Sequence, residues 1–402
     1  MGFFLPTYFI NGLRVFAMKK KLNKETIAAR AGIDTDLQHK AIVPPIYLST
    51  NYVFQEVGEN QPYEYTREGN PTRDHLIDAL SKLEEGVGGE VTSSGMSAIA
   101  LIANILELNS KVILPHDCYG GTFRLFSSLA KKGMLEVHFV DQGEEKFVNE
   151  TIDEIKPDLI WIETPSNPLL QVVDVEKISK KAKTINALVA ADNTFLSPAL
   201  QNPLTLGADI VVHSTTKYIN GHSDLVGGAV ITNNKEVLLR LKFWANNLGL
   251  TGAPFDSYLT LRGLRTLGIR MEKHEKNATS IVEMLLDNSK VESVYYPGLL
   301  QHPSHEIAKK QQHGYGGMLS FTVQGGLSSV KKFVKEVDIL SFAESLGGFE
   351  SLITHPFTMS HAVLSPEEKE KIGITEGLIR ISAGLEDAQD LLDAIDAGLK
   401  KI

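Results

Sequence analysis

The sequence predicts an α/β protein with a mostly parallel central sheet and a smaller C-terminal α/β domain. Three observations predict it. From about residue 90, short β-branched apolar runs alternate with longer stretches of helical period, the pattern of βαβ units. Most of the short runs lack polar alternation, as strands do when helices cover both faces of their sheet. The chain has 402 residues, 43% hydrophobic and 22% charged, which exceeds one simple core and suits two domains of ordinary size.

Taken in order, residues 1–17, MGFFLPTYFINGLRVFA, are apolar, but no basic stretch precedes them and Pro6, Asn11, Gly12 and Arg14 interrupt them. They fall short of the roughly 20 residues of a spanning helix, so we expect a disordered leader, with Met18 as the natural start. Residues 18–75 show few periodic elements, and the prolines of IVPPIYLSTNYVFQ oppose a helix. This segment reads as an extended arm that touches a neighbouring subunit. Residues 76–265 form the large domain. Its expected strands are 112–114, 137–140, 159–162, 188–191, 210–212 and 229–232, and its expected helices 97–108, 121–132 and 175–184. A helix-rich bridge, 257–288, leads into the C-terminal domain, 266–402, with strands at 318–323 and 378–382.

Composition narrows the function. The formal net charge is −9, and the densest basic run is only Met18-Lys19-Lys20-Lys21, so nucleic acid and anionic membrane are not expected partners. A single cysteine, Cys118, cannot close an intramolecular disulfide, which points to a reducing, cytoplasmic compartment. The 12 histidines form no HExxH and no Cys/His cluster of zinc spacing, so no metal is expected. There is no GxSxG elbow and no Walker loop, and EGVGGEV lacks the dinucleotide fingerprint.

Polar groups instead gather at the ends of the expected strands, where open parallel sheets place ligands. HSTTKYINGHSD sets Lys217 among hydroxyls just past an apolar run. A lysine in a loop is commonly a solvated charge; with Ser214 and Thr216 to hold phosphate oxygens and Gly221, Gly227 and Gly228 keeping the backbone close, a partly desolvated amine that attacks an aldehyde is the functional reading. Asp192 in VAADNTF is either a turn residue or the partner of a protonated pyridine nitrogen. TSSGMSAIALIANIL is either a capped helix start or an anion cradle built on Gly95 and Met96. Tyr119 in PHDCYGGTF packs, or stacks on a planar ring. Arg380 in LIRISAG pairs with an acid, or forks onto a substrate carboxylate. Tyr65 and Arg67, in YEYTREGNPT, sit in the arm, suited to reaching a neighbour's site.

Together YEYTREGNPTRD, SSGMSA, PHDCYGGT, ETPSNPLLQVVD, ADNTFLSPALQNPL, HSTTKYINGHSD, AESLGGFESL and LIRISAGLED resemble the Cys/Met metabolism family of pyridoxal-phosphate enzymes, in order and across essentially everything after Met18. The resemblance implies fold type I, the aspartate-aminotransferase-like architecture of PLP-dependent transferases, and a homotetramer of two active dimers acting on small amino-acid substrates. It implies pyridoxal 5'-phosphate as cofactor, with Lys217 forming the Schiff base, Asp192 at the pyridine nitrogen and Tyr119 on the ring. Gly95, Met96, Ser214 and Thr216 would hold the phosphate, joined by Tyr65 and Arg67 of the partner subunit. Asn167, Ser345 and Arg380 would orient the substrate, Arg380 taking its α-carboxylate. Glu344 matches the γ-acting members, and Arg124 would face a succinyl carboxylate. The expected reaction is γ-replacement, in which L-cysteine displaces the acyl group of O-succinylhomoserine or O-acetylhomoserine to give cystathionine in methionine biosynthesis. The alternative is γ-cleavage of cystathionine.

Overall fold

The runs LIWIE, IVVH and GAVIT are apolar over nearly their whole length, and every residue in them is buried. Such segments can rest only in the middle of a sheet covered on both faces. The computed structural model describes residues 22–144, 146–362 and 365–402, so the expectation for residues 1–17 lies outside the described residues. Seven strands form the first sheet: β1 (Gly88–Thr92), β2 (Ser110–Pro115), β3 (Leu135–Val140), β4 (Leu159–Glu163), β5 (Leu188–Asp192), β6 (Ile210–His213) and β7 (Gly228–Thr232). Their order is β1-β7-β6-β5-β4-β2-β3. The run β3, β2, β4, β5, β6 is parallel, and β7 is antiparallel to both β6 and β1.

Each strand expected in the large domain is present, lengthened by one to three residues. The first strand, β1, was not anticipated because its sequence, GGEVT, opens on two glycines that weaken strand propensity. The tertiary structure requires them. A Cβ on Gly89 would lie 2.2 Å from the Val230 carbonyl oxygen, and one on Gly88 would lie 2.7 Å from Leu238. One face of the sheet carries a cluster with Leu101, Ile102, Phe126 and Trp161, and the other a cluster with Ile160, Ile162, Ile178 and Val189. Each such side chain contributes about 1.5–3 kcal/mol on burial.

Helices Pro254–Leu264 and Leu267–Leu286 make the expected bridge. They lead to a second sheet of β8 (Val291–Tyr295), β9 (Met318–Val323), β10 (Ser341–Phe342), β11 (Leu352–Thr354) and β12 (Leu378–Ser382), ordered β10-β11-β12-β9-β8. All its pairs are antiparallel except β10 with β11. Phe321, Phe333, Ile381 and Leu391 lie in its core. Within 18–75, the stretch containing Pro44 and Pro45 has no helix, but a short one spans Lys24–Ala29, and a longer one, Pro71–Glu84, begins before residue 75. Asn70 starts the latter by accepting from the Thr72 and Arg73 amides. Among the described residues, no helix is long and apolar enough to cross a membrane, and no acid, histidine and cysteine group is placed to hold a metal ion.

Candidate active site

The C-terminal ends of β4, β5 and β6 open into a cavity of about 320 Å³, closed on its far side by residues of the second sheet. Strand β6 ends at His213 and the chain rejoins the sheet only at Gly228. The intervening loop carries Lys217. Several contacts hold that loop in place. The Thr216 hydroxyl donates to the Gly227 carbonyl and accepts from the Gly227 amide at 2.9 Å. The Ser214 amide donates to the Thr194 hydroxyl at 2.9 Å. From the bridge, buried Arg270 donates to the carbonyls of Tyr218, Ile219 and Gly263. Its guanidinium fills the space a Cβ on Gly221 would need, at 2.0 Å, and Gly221 has φ +69°. Only glycine meets both conditions.

Lys217 Nζ donates to Ser345 Oγ at 2.6 Å. Burial first, then the Arg380 charge, lowers its pKa to about 8, while Glu344 pulls the other way. The amine is therefore much easier to deprotonate than a solvated lysine. Ser345 has φ +97°, an unfavourable backbone conformation for any residue other than glycine and a kind that persists where surroundings impose it. Here its hydroxyl meets Lys217 and its carbonyl accepts from Arg380 Nη2 at 3.0 Å.

Arg380, on β12, is buried and donates through Nη1 to Asn167 Oδ1 at 2.8 Å and through Nη2 to Thr354 Oγ1 at 3.0 Å. Its Nε is buried without a hydrogen-bond partner, a donor free for an incoming acid. Burial holds this guanidinium down to about 10. Opposite it, Asp192 ends β5 and accepts from the Thr194 amide at 2.9 Å. Burial raises its carboxyl above the ordinary value, with the Thr194 hydrogen bonds and His213 opposing. Below the floor, fully buried Glu84 bonds His213 Nε2 at 2.7 Å and accepts from Asn193 and Asn202.

Helix Gly95–Asn104 starts at the cavity, capped by Ser94 accepting from the Ser97 amide. A Cβ on Gly95 would press on Ser214 at 2.9 Å, so the glycine brings the helix start and the lysine loop together.

Of the residues singled out from the sequence, Gly95, Met96, Tyr119, Asn167, Asp192, Ser214, Thr216, Lys217, Glu344, Ser345 and Arg380 all line this one cavity. Tyr65, Arg67 and Arg124 are exposed and do not line it within this chain. Arg67 Nε donates to Asn246 Oδ1 at 2.9 Å, and its guanidinium lies 5.1 Å from the Tyr65 ring centre. Sequence reasoning missed Glu163, Thr194 and Thr354 on the wall and Arg270 behind it. Only Glu163 left a signal: LIWIE and LVAAD both end in an acid.

Residues 25–400 match the model of the Cys/Met metabolism PLP-dependent enzyme family. The chain belongs to this family. Cystathionine gamma-synthase of Escherichia coli is 50% identical over 376 residues, 93% of this chain and 97% of the relative. Cystathionine gamma-lyase of Dictyostelium discoideum is 44% identical over 378 residues, 94% and 97% of the two chains. The solved structure of cystathionine gamma synthase from Xanthomonas oryzae pv. oryzae in complex with cystathionine superposes with a TM-score of 0.93 at 50% identity, covering 95% of this chain and 99% of that one. Membership fixes the architecture as that of these PLP-dependent enzymes and the cofactor as pyridoxal phosphate.

The residues fit that cofactor. A desolvated amine and a half-buried carboxyl line one cavity of suitable size, and a glycine helix start opens on the same space. A Cβ on Gly121 would strike the Tyr119 ring at 2.4 Å and Met96 sulfur at 2.5 Å, so this Cys/Met family site keeps its aromatic wall by leaving that position bare.

Proposed function

We propose that this enzyme catalyses γ-replacement, joining L-cysteine to the four-carbon unit of O-succinylhomoserine or O-acetylhomoserine to give cystathionine and the free acid. The Cγ–O bond breaks, the C–S bond forms, and the thiol proton leaves with the carboxylate product. The observation that carries the reading is the 50% identity to a cystathionine gamma-synthase over 93% of the chain, together with Glu344 on the cavity wall beside Lys217.

When bound, pyridoxal phosphate supplies an aldehyde for amines and a ring that accepts electrons. Lys217 would hold that aldehyde and, once freed by substrate, would move protons at Cα and Cβ. Asp192 would face the pyridine nitrogen and favour its protonated form. Gly95, Met96, Ser214 and Thr216 take the phosphate at the helix start, and Tyr119 covers the ring. Arg380 binds the α-carboxylate, with Asn167 and Ser345 fixing its fork. Glu344 faces the second half of the substrate, and Arg124 a succinyl carboxylate entering from outside the cavity.

The arm, residues 18–75, supports assembly. Ile42, Leu48, Val53, Phe54 and Val57 are exposed in it, a row of apolar side chains suited to a neighbouring subunit. Tyr65 and Arg67 would there complete the neighbour's phosphate site within a homotetramer built of active dimers. Mixing Arg67→Ala with Lys217→Ala chains is expected to restore activity in the mixed dimers, which pair one intact site with one doubly damaged. Absence of any recovery would show that each chain uses its own Arg67. We further place the enzyme in the cytoplasm, in methionine biosynthesis.

A second reading, γ-cleavage of cystathionine, is favoured by the 44% identity to a cystathionine gamma-lyase. A paired assay separates them: O-succinylhomoserine with cysteine is expected to yield cystathionine faster than cystathionine alone yields 2-oxobutyrate. The reverse order would make the enzyme a lyase.

A further inference from the structure

Two parallel strands end in acids at the same level: Glu163 of β4 pairs in register with Asp192 of β5. Glu163 is 7% exposed and borders the cavity. Its Oε2 accepts from the Tyr119 amide at 2.7 Å, and its Oε1 accepts from the Trp161 indole N–H at 3.1 Å. Tyr119 immediately precedes helix Gly120–Lys131 and has no capping side-chain bond of its own. Its amide is thus tied across the cavity mouth to the neighbouring strand.

A carboxylate that merely satisfied two donors would be poorly placed here. Burial first, then the neighbouring Asp192, raises Glu163 above the ordinary carboxyl value, against the Tyr119 and Trp161 hydrogen bonds and with Asp117 adding to the rise. A second acid beside Asp192 is a costly acceptor, whereas the geometry it imposes on Tyr119 is specific. The ring is half exposed, 44%, and only one edge of it packs, over Gly121 beside Met96, so the anchoring of its main chain decides how well it is held.

We propose that Glu163 is a positioning residue of the cofactor site, fixing the Tyr119 main chain and through it the ring that covers pyridoxal phosphate. This rests on the reading of Tyr119 as the stacking residue.

The test is equilibrium dialysis of pyridoxal phosphate against apoenzyme for the native chain, Glu163→Gln, Tyr119→Ala and the double variant. Glutamine offers one oxygen and one NH₂, so one of the two N–H donors must face another donor. Glu163→Gln is expected to weaken retention on the order of tenfold. In the Tyr119→Ala background the same change is expected to cost less than about twofold, because the two residues act as a unit. Equal losses in both backgrounds, or unaltered affinity of Glu163→Gln alone, overturn the proposal while leaving the stacking role intact. Native affinity in Tyr119→Ala overturns both together. Should Glu163→Gln not fold, hydrogen exchange on the native apoenzyme decides: a protected Tyr119 amide supports the clamp, and one that exchanges like a free amide removes it.

Discussion

The two walls of the cavity are built from opposite charges. The first sheet supplies two acids, buried Glu163 and half-buried Asp192; the second supplies Arg380, a buried cation whose Nε is unpaired. Between them Lys217 is pushed toward neutrality by burial and by Arg380. The contrast teaches how one small space serves two tasks. On the proposed function, the acids of the floor would face the cofactor's ring nitrogen, the guanidinium of the roof would take a substrate carboxylate, and the amine between them would be left free to react.

The largest expected break in that arrangement is Lys217→Ala. It removes the nucleophile, so borohydride treatment should leave no cofactor covalently attached, and turnover should fall by at least about 10³-fold. Peptide mass spectrometry after reduction reads the first effect and a product assay the second. On the roof, Arg380→Lys keeps the charge but loses the fork. We expect kcat/KM to drop roughly 100-fold, at about 1.5–3 kcal/mol for a lost charged hydrogen bond, with cofactor content unchanged. A parallel loss of cofactor would assign Arg380 to the floor's task.

Smaller effects sharpen the comparison. Gly95→Ala brings a methyl group within 2.9 Å of Ser214 and should weaken pyridoxal phosphate binding by about tenfold, measured on apoenzyme, since closely packed backbone yields only partly. Finally, Lys217 should lose its proton through about pH 8 rather than its ordinary 10.5. Below that value the amine is charged, so covalent capture of the cofactor by apoenzyme should rise across it and level off above. The same depression means the folded chain binds fewer protons than the unfolded one between about 8 and 10.5. Over that window Lys217 therefore adds stability as pH rises. A capture midpoint near 10.5 would place the amine in solvent.

Much of the site was legible because its chemistry sits in short contiguous strings. Lys217 and Asp192 each follow an apolar run, and the Ser94-Gly95-Met96 helix start precedes one; strand ends are where parallel sheets expose polar groups. Glu163 escaped because its meaning lies in the register of β4 against β5, which the 163 and 192 positions do not disclose. Arg270 escaped for a related reason. It looks like an ordinary helix residue until folding drives it, buried, into the carbonyls after Lys217. Strand β1 was hidden by glycines whose purpose is the approach of Val230.

By itself, then, the sequence determined the α/β alternation, the positions of most strands and the types of group placed at their ends, since periodicity and local chemistry are written along the chain. Tertiary structure alone decided which of those groups meet. The charge of Lys217, the unpaired Nε of Arg380 and the clamp of Glu163 on Tyr119 all depend on burial and on neighbours many residues away; the first two exist only once the two sheets close on one another, and the third only once β4 lies beside β2.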